Sequence, residues 1–308
     1  MTTHGKHSGI IVLGEGLVGL VRESGSEETA RYRQEALGDG LVTAVTTARL
    51  GIETSFVTRV GSDPYTEWLL ETWDRERLHL DHVRHGSGSN SVAIVSSDDA
   101  FMTYRDAGTA ATLSSSDVEH LPWTMSIFAY ATGTLQRSSP ESRDALLTAF
   151  SQAQRHGVRT VFNPTLYPDR WNQPENKRAR EPFREILEHV DLLVIKAPYS
   201  SGQLLDEASA EEAAAAAKRR GVAHVVVRDP SGGCVVATDT GTHVLSGEAR
   251  GLHPAMDGVF DGLLMKGICD GFTTEGATEQ ALDALGEHIR YQLGDGVGLD
   301  AIPSTFRT

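Results

Sequence analysis

The sequence predicts an α/β fold with a mostly parallel sheet and helices on both faces. Short apolar runs alternate with segments of about 10–15 residues whose apolar positions recur at helical spacing. Glycines follow several of these segments, as Gly51, Gly157 and Gly221 do. Strands joined through helices pair in parallel, which sets the fold class. The stretches 17–37 and 91–107 break the alternation, and we expect them to form a small β lid.

The first elements illustrate the pattern. The run 9–13 is short and apolar, which favours a buried strand. Over 39–51, Leu41, Val45 and Ala48 form an apolar helical face that ends at a glycine. The other predicted strands are 54–60, 91–96, 101–105, 125–132, 158–163, 191–196, 222–227 and 234–237, and the other predicted helices are 64–75, 141–155, 180–189, 210–220, 257–271 and 279–293.

Composition limits the classes of function. The chain has 308 residues, of which 39% are hydrophobic and 23% charged, with a formal net charge of −14. We expect residues 1–308 to form one domain with the lid as an appendage. The acidic balance disfavours nucleic acid or an anionic membrane as a partner. Cys234 and Cys269 lie in no paired motif, and neither a signal peptide nor a membrane-spanning run is visible, so we expect a cytoplasmic protein.

One motif indicates a rival class of enzyme. Residues 14–19 spell G-x-G-x-x-G after a strand, and Glu35 lies downstream, as in dinucleotide-binding proteins. That site requires a helix directly after the glycines. The residues that follow are charged, include Gly25 and lack an apolar stripe. The sequence therefore disfavours a nicotinamide-dependent oxidoreductase, a class that cofactor absorbance would detect.

The stretch 250–272 combines a turn with the start of a buried helix. Pro254 and Asp257 suit a helix N-terminus, where N–H groups are free and the helix dipole is positive. Apolar residues follow at helical spacing: Val259, Phe260, Leu263, Leu264 and Ile268. Gly262 and Gly267 within the helix indicate close packing against a sheet or a ligand. Asp257 either caps its helix or acts as a base beside an anion site.

Six motifs occur in order along the chain. They are Gly14-Glu15, A-R-L-G at 48–51, V-G-S-D-P at 60–64, Y-R-x-x-x-x-A-A at 104–111, F-N-P-T-L-Y-P-x-x-W at 162–171 and the stretch 250–272. Their order and spacing resemble the ribokinase-like, or PfkB, carbohydrate kinases, nearest to the fructokinase and 2-keto-3-deoxygluconate kinase branch.

The resemblance implies a ribokinase-like three-layer α/β/α sandwich with a small β lid, which in many members also forms a dimer. It implies transfer of a phosphoryl group from ATP, with Mg²⁺, to a sugar hydroxyl. Asp257 falls on the catalytic base, and the amides of Ala255 and Met256 belong to the anion hole beside it. The other implied site residues are Glu15, Gly38, Asp39, Arg105 and Asn163 for the sugar, and Arg228 and Gly233 for the nucleotide.

The chain departs from the family pattern at the site itself. Pro254 and Met256 replace the two glycines of the family's G-A-G-D turn, and Val42 replaces an expected Asn. Asn163 and Tyr167 replace the Asp and Arg that follow the position of Phe162 in the family motif. Pro230 replaces the glycine on the nucleotide side. The magnesium-organising N-x-x-E maps onto 198–201, where neither side chain is present.

Two hypotheses therefore remain open. The first is a sugar kinase of narrowed specificity, with Asp257 as its base. The second is a kinase fold that binds or converts a sugar-like ligand without ATP. Three single residues also have a structural interpretation beside the functional one. Arg105 can be a surface residue, Asn163 can be a turn amide with its hydrogen bonds satisfied, and Asp261 can be a helix-face carboxylate and not a second catalytic acid.

Overall fold

The computed structural model describes residues 8–23, 30–96, 101–104, 108–166, 179–247 and 255–291, together with 299, 302, 303 and 306. The strands are β1 Gly9–Leu13, β2 Leu17–Arg22, β3 Tyr32–Leu37, β4 Thr54–Val60, β5 Val83–His85, β6 Val92–Val95, β7 Phe101–Tyr104, β8 Ser126–Thr132, β9 Arg159–Asn163, β10 Leu192–Lys196, β11 His224–Arg228, β12 Cys234–Thr238 and β13 Gly241–Leu245. The helices are α1 Asp39–Arg49, α2 Tyr65–Arg75, α3 Ser115–Val118, α4 Gly133–Ser138, α5 Pro140–Arg155, α6 Arg180–Leu187, α7 Tyr199–Leu205, α8 Ala210–Arg219, α9 Ala255–Cys269 and α10 Thr274–Tyr291.

A nine-stranded sheet has the order β13-β12-β11-β10-β9-β8-β1-β4-β5. The strands from β11 to β5 pair in parallel, whereas β12 and β13 are antiparallel. Because parallel strands end at a common edge, the segments after β1, β8, β9, β10 and β11 lie along one side of the molecule. No described helix is both long and apolar enough to cross a membrane.

The sheet separates two hydrophobic cores, because side chains alternate along each strand. Ile10 and Val12 face one core, while Ile11 and Leu13 face the other. The first core contains side chains of α1, α2, α9 and α10, and the second contains those of α5, α6, α7 and α8. Both faces of the sheet are therefore covered by helices, as the sequence predicts.

The second sheet has the order β3-β2-β6-β7 and comes from the two stretches that break the α/β alternation. Strands β2 and β6 are parallel neighbours, and each has an antiparallel partner on its other side. Tyr32, Met102 and Tyr104 are about half exposed on this sheet. These four strands are called the lid below. Two of them, β2 and β3, lie between β1 and α1 in the chain, so the lid adjoins the carboxyl edge of the main sheet.

The G-x-G-x-x-G glycines serve packing. A Cβ on Gly16 would lie 2.2 Å from Cζ2 of Trp73, and a Cβ on Gly19 would lie 2.5 Å from Cδ1 of Leu37. Residues 17–22 form strand β2, not the helix that a dinucleotide site needs. The structure therefore gives this motif a steric explanation.

Helix α9 packs closely on α1 through its glycines. A Cβ on Gly258 would lie 3.0 Å from Cβ of Val42, and a Cβ on Gly262 would lie 2.7 Å from Cγ2 of Thr46. The neighbour is thus another helix, where the sequence predicted a sheet or a ligand. This contact fixes the N-terminus of α9 at the sheet edge.

Element boundaries differ little from the predicted ones, but some elements were missed. Strand β13 is an edge strand whose residues are exposed or half-buried, so it lacks an apolar run. Helix α7 has only seven residues and is polar at its start, so no helical stripe marks it. Helix α10 begins at Thr274, five residues before the predicted position 279.

Candidate active site

The candidate site lies where five neighbouring parallel strands end. Lys196 and Arg228 are the last residues of β10 and β11 and stand in register with each other. Asn163 ends β9 in register with Thr132 at the end of β8. Glu15 follows β1 by two residues. The topology thus gathers polar residues from distant parts of the sequence at one edge.

Asp257 is the third residue of α9 and is buried, with 6% of its surface exposed. Its Oδ1 atom lies 2.6 Å from Nζ of Lys196 and 2.6 Å from Nη1 of Arg228. The Arg228 guanidinium also lies over the ring of Phe260, 4.7 Å from its centroid, which is within the range of a cation–π contact. Asp257 therefore faces two cations at a helix N-terminus, whose first N–H groups have no partner within the helix.

Asp261 lies one turn further along α9 and is almost completely buried. Its Oδ2 atom accepts hydrogen bonds from the Tyr130 hydroxyl at 2.7 Å and from Nδ2 of Asn163 at 2.8 Å. Its Oδ1 atom has no hydrogen-bond partner in the described part of the chain. The pKa of Asp261 is raised to about 7, mainly by burial and also by the charge of Asp257, although the two hydrogen bonds and Arg228 lower it.

Asn163 is held by protein groups on both sides of its amide. Its Nδ2 donates to Asp261, and its Oδ1 accepts from the backbone N–H of Thr165 at 3.0 Å. The sequence alternative of a satisfied amide thus describes its contacts in this structure. The amide nitrogen carries two hydrogens, so Asn163 can donate to a sugar oxygen while it keeps its bond to Asp261.

Glu15, Gly38 and Asp39 lie on the lid side of the edge. Oε1 of Glu15 accepts a hydrogen bond from Ser91 at 2.7 Å, and Oδ2 of Asp39 accepts one from Thr134 at 2.6 Å. Gly38 has φ +145°, and a Cβ there would lie 2.0 Å from the carbonyl oxygen of Glu15, so only glycine fits. Ser91 and Thr134 were missed by sequence reasoning, since an isolated Ser or Thr carries no signal of its partner.

The predicted nucleotide side is a tight turn between β11 and β12. The N–H of Asp229 donates to the carbonyl of Gly233 at 2.9 Å, and Pro230 is exposed. A Cβ on Gly233 would lie 2.3 Å from the carbonyl oxygen of Leu245. This glycine therefore has a packing role at β13, whatever it contacts in a complex. Arg228, predicted to bind nucleotide, points at Asp257.

Part of the predicted site lies outside the described residues, namely Arg105, Tyr167, Trp171 and the segment 250–254. Ala255 begins α9. Met256 is 4% exposed and belongs to the same core as Val259 and Phe260. The Met256 side chain therefore packs into the core, while its backbone lies in the first turn.

A family model described as pfkB family carbohydrate kinase matches residues 10–250 of the chain. This match covers well over half of the sequence. The chain belongs to the PfkB carbohydrate kinase family. Because the match ends before α9, the role of Asp257 depends on the gap-free motif resemblance and on the geometry at the sheet edge.

Curated relatives are sugar kinases. The chain is 26% identical to the 5-dehydro-2-deoxygluconokinase of Bacillus licheniformis over 156 residues, which are 48% of this chain and 47% of that protein. It is 26% identical to the fructokinase of Klebsiella pneumoniae over 175 residues, which are 55% of this chain and 54% of that protein. The chain therefore matches about half the length of these relatives.

Solved structures confirm the predicted ribokinase-like fold. The fructokinase of Vibrio cholerae O395, solved with fructose, ADP and a calcium ion, superposes with a TM-score of 0.81 at 19% identity. The superposition covers 98% of this chain and 99% of that chain. At this identity the likeness concerns the fold.

The residues at the position where the PfkB family organises magnesium do not fit a magnesium site in this chain. Pro198 and Ser201 stand where the family has Asn and Glu, and the described residues contain no group of three or more His, Cys, Asp or Glu side chains able to hold a metal. Mg²⁺ requires oxygen ligands such as carboxylates. Asp257, a carboxylate at this edge of the sheet, already pairs with Lys196 and Arg228.

Proposed function

We propose that this protein is an ATP-dependent phosphotransferase that acts on a hydroxyl group of a sugar or sugar-like molecule. The observation that carries the proposal is Asp257, a buried carboxylate in the first turn of α9 at the carboxyl edge of a parallel sheet. In open α/β sheets, ligands bind at this edge. Membership of the PfkB family and the sugar kinases among its relatives support the same conclusion.

The proposed chemistry is an in-line transfer. The acceptor hydroxyl oxygen attacks the γ-phosphorus of ATP, the bond from that phosphorus to the bridging oxygen breaks, and ADP leaves with the electron pair. Asp257 takes the proton of the hydroxyl, which is the role of a general base. The N–H groups of Ala255 and Met256, in the first turn of α9, stabilise the negative charge on the phosphoryl oxygens.

On the sugar side, we assign Glu15 and Asp39 to the acceptor, with Gly38 allowing the backbone before Asp39 to lie close to that of Glu15. Ser91 orients Glu15 and Thr134 orients Asp39 through the hydrogen bonds described above. Asn163 joins them through the second hydrogen of Nδ2. Arg105 stays a prediction from the motif resemblance, as a partner for acidic sugars. Its removal should then raise KM more for acidic than for neutral acceptors.

We also propose that the lid closes over the acceptor and pairs with the lid of a second copy. Its half-exposed aromatic residues and Met102 support an interface on this sheet. Sedimentation velocity would test this, with a dimer expected and a monomer at high concentration contradicting it. The two free cysteines, Cys234 and Cys269, suit a reducing compartment such as the cytoplasm.

A screen with radiolabelled ATP over ketoses, sugar acids and nucleosides tests the proposed activity. Transfer of label to one acceptor class, lost in Asp257→Asn, is the expected result. Absence of transfer to any acceptor, with both proteins folded, would reject the proposal.

One observation favours a second candidate function, namely binding of an anionic sugar without transfer. Lys196 and Arg228 together would hold a carboxylate or phosphate of such a ligand as readily as a nucleotide. Calorimetry distinguishes the two functions. Micromolar binding of ATP supports the kinase, whereas binding of sugar acids or sugar phosphates with no response to ATP supports the second function.

A further inference from the structure

Lys196 and Arg228, called the cation pair below, lie beside Asp257 and take no part in the proposed proton transfer. They occupy equivalent positions at the ends of neighbouring strands, and both reach the same oxygen of Asp257. The Lys196 side chain is 37% exposed, whereas that of Arg228 is 9% exposed. One cation is thus accessible from the open edge, and the other is fixed in the protein.

The charges at this point favour an anion over a metal ion. Two full positive charges face the single carboxylate Asp257, and the N-terminus of α9 adds a partial positive charge. Asp261 is the next acidic group along α9, and its pKa is raised to about 7, mainly by burial, so it is partly neutral at neutral pH. The cluster is therefore net positive, which repels a divalent cation and attracts a phosphate group.

The residues that would organise a metal are also replaced. At the position of the family glutamate, the Ser201 hydroxyl is buried and has no hydrogen-bond partner among the described residues. A buried serine offers a weaker ligand to Mg²⁺ than a carboxylate. The positive charge that the phosphates need is present instead on protein side chains at the same edge.

We propose that the cation pair binds the phosphates of the nucleotide directly, so that this site takes ATP without a divalent metal. In the ligand-free protein, Asp257 Oδ1 occupies the cation pair. A phosphate of ATP displaces that oxygen and accepts hydrogen bonds from both Lys196 and Arg228. Asp257 Oδ1 can then accept the hydrogen bond of the acceptor hydroxyl. This inference rests on the proposed function and deepens it, because nucleotide binding itself makes the base available.

Calorimetric titration of the full chain with ATP, in EDTA and in excess Mg²⁺, tests the inference. Wild-type protein should bind metal-free ATP at least as tightly as Mg-ATP. Lys196→Met should weaken metal-free binding by at least about tenfold, as expected for the loss of a charge-assisted hydrogen bond. Lys266→Met is the matched control, since Lys266 is on the same helix as Asp257 and pairs with Asp270 at its other end.

Asp257→Asn gives a second, opposite expectation. Removing the charge that competes for the cation pair should tighten metal-free ATP binding by several fold. If Asp257 instead held a metal, the same variant would weaken Mg-ATP binding. Circular dichroism of each variant shows whether the fold is kept, and Lys196→Gln replaces Lys196→Met if the latter fails to fold.

The outcomes separate the inference from the proposed function. Binding that requires Mg²⁺, or Lys196→Met binding like wild type, overturns the inference, and transfer of label in the screen would then leave the kinase assignment standing. Metal-free ATP binding lost in Lys196→Met, without transfer to any acceptor, supports the cation pair and rejects the kinase. Absence of ATP binding under both conditions overturns the inference.

Discussion

Replacement of Asp261 by asparagine should change how the stability of the protein depends on pH. In the folded protein, burial raises the pKa of Asp261 from 3.8 to about 7. The folded state therefore keeps a proton on this carboxyl over a pH range in which the unfolded chain has released it. The contribution of Asp261 to stability is complete below about pH 4 and is lost as the pH rises to about 7.

The magnitude follows from the two pKa values. One pKa unit corresponds to about 1.4 kcal/mol, so the change between pH 4 and pH 8 is on the order of 4 kcal/mol. An asparagine does not titrate, yet its carbonyl oxygen can accept the hydrogen bonds from Tyr130 and Asn163 that Oδ2 of Asp261 accepts. The variant should therefore lose this part of the pH dependence while keeping the fold.

Urea unfolding at pH 5, 6, 7 and 8 measures the effect. The free energy of unfolding of the wild type should fall more steeply with rising pH than that of Asp261→Asn, and the two curves should converge or cross near neutral pH. Parallel curves over this range would refute the reasoning, because they would mean that Asp261 ionises alike in the folded and unfolded chain.

Two further changes test the packing that holds the site. Gly262→Ala places a methyl group 2.7 Å from Cγ2 of Thr46 and should lower the free energy of unfolding by about 1–3 kcal/mol. The control Gly276→Ala, where the nearest atom to the added methyl lies at 3.5 Å, should leave that free energy unchanged or raise it by about 0.5 kcal/mol. Equal melting temperatures for the two variants would contradict this. Glu76→Gln removes the charge from a largely buried ion pair with Arg49, 2.7 Å between Oε2 and Nε, and should cost about 3 kcal/mol. A double mutant with Arg49→Met should lose less than the sum of the single changes in urea unfolding, and strict additivity would show that the pair is not coupled.

Much of the fold could be predicted because its signals are local. The strand alternation that sends Ile10 and Ile11 to different cores lies in adjacent residues. The start of α9 and the position of Asp257 follow from one continuous motif. The two stretches that break the α/β alternation are also recognisable from adjacent residues, and they supply the strands of the second sheet.

The contacts of the site could not be predicted, because they join distant residues. Asn163 and Asp261 are 98 positions apart and meet only through the strand order. Lys196 carries no motif signal, and its role appears only when β10 and β11 are in register beside α9. Asp261 was expected on a helix face, but α9 is covered by α1 and the sheet, so that face is buried.

The rate of phosphoryl transfer from ATP to the best acceptor, compared between wild type and Asp257→Asn, tests the central claim most directly. The account predicts a loss of about 10²–10⁴-fold in kcat for the variant, as for removal of a general base, with ATP binding kept or tightened. Equal rates in the two proteins would contradict it.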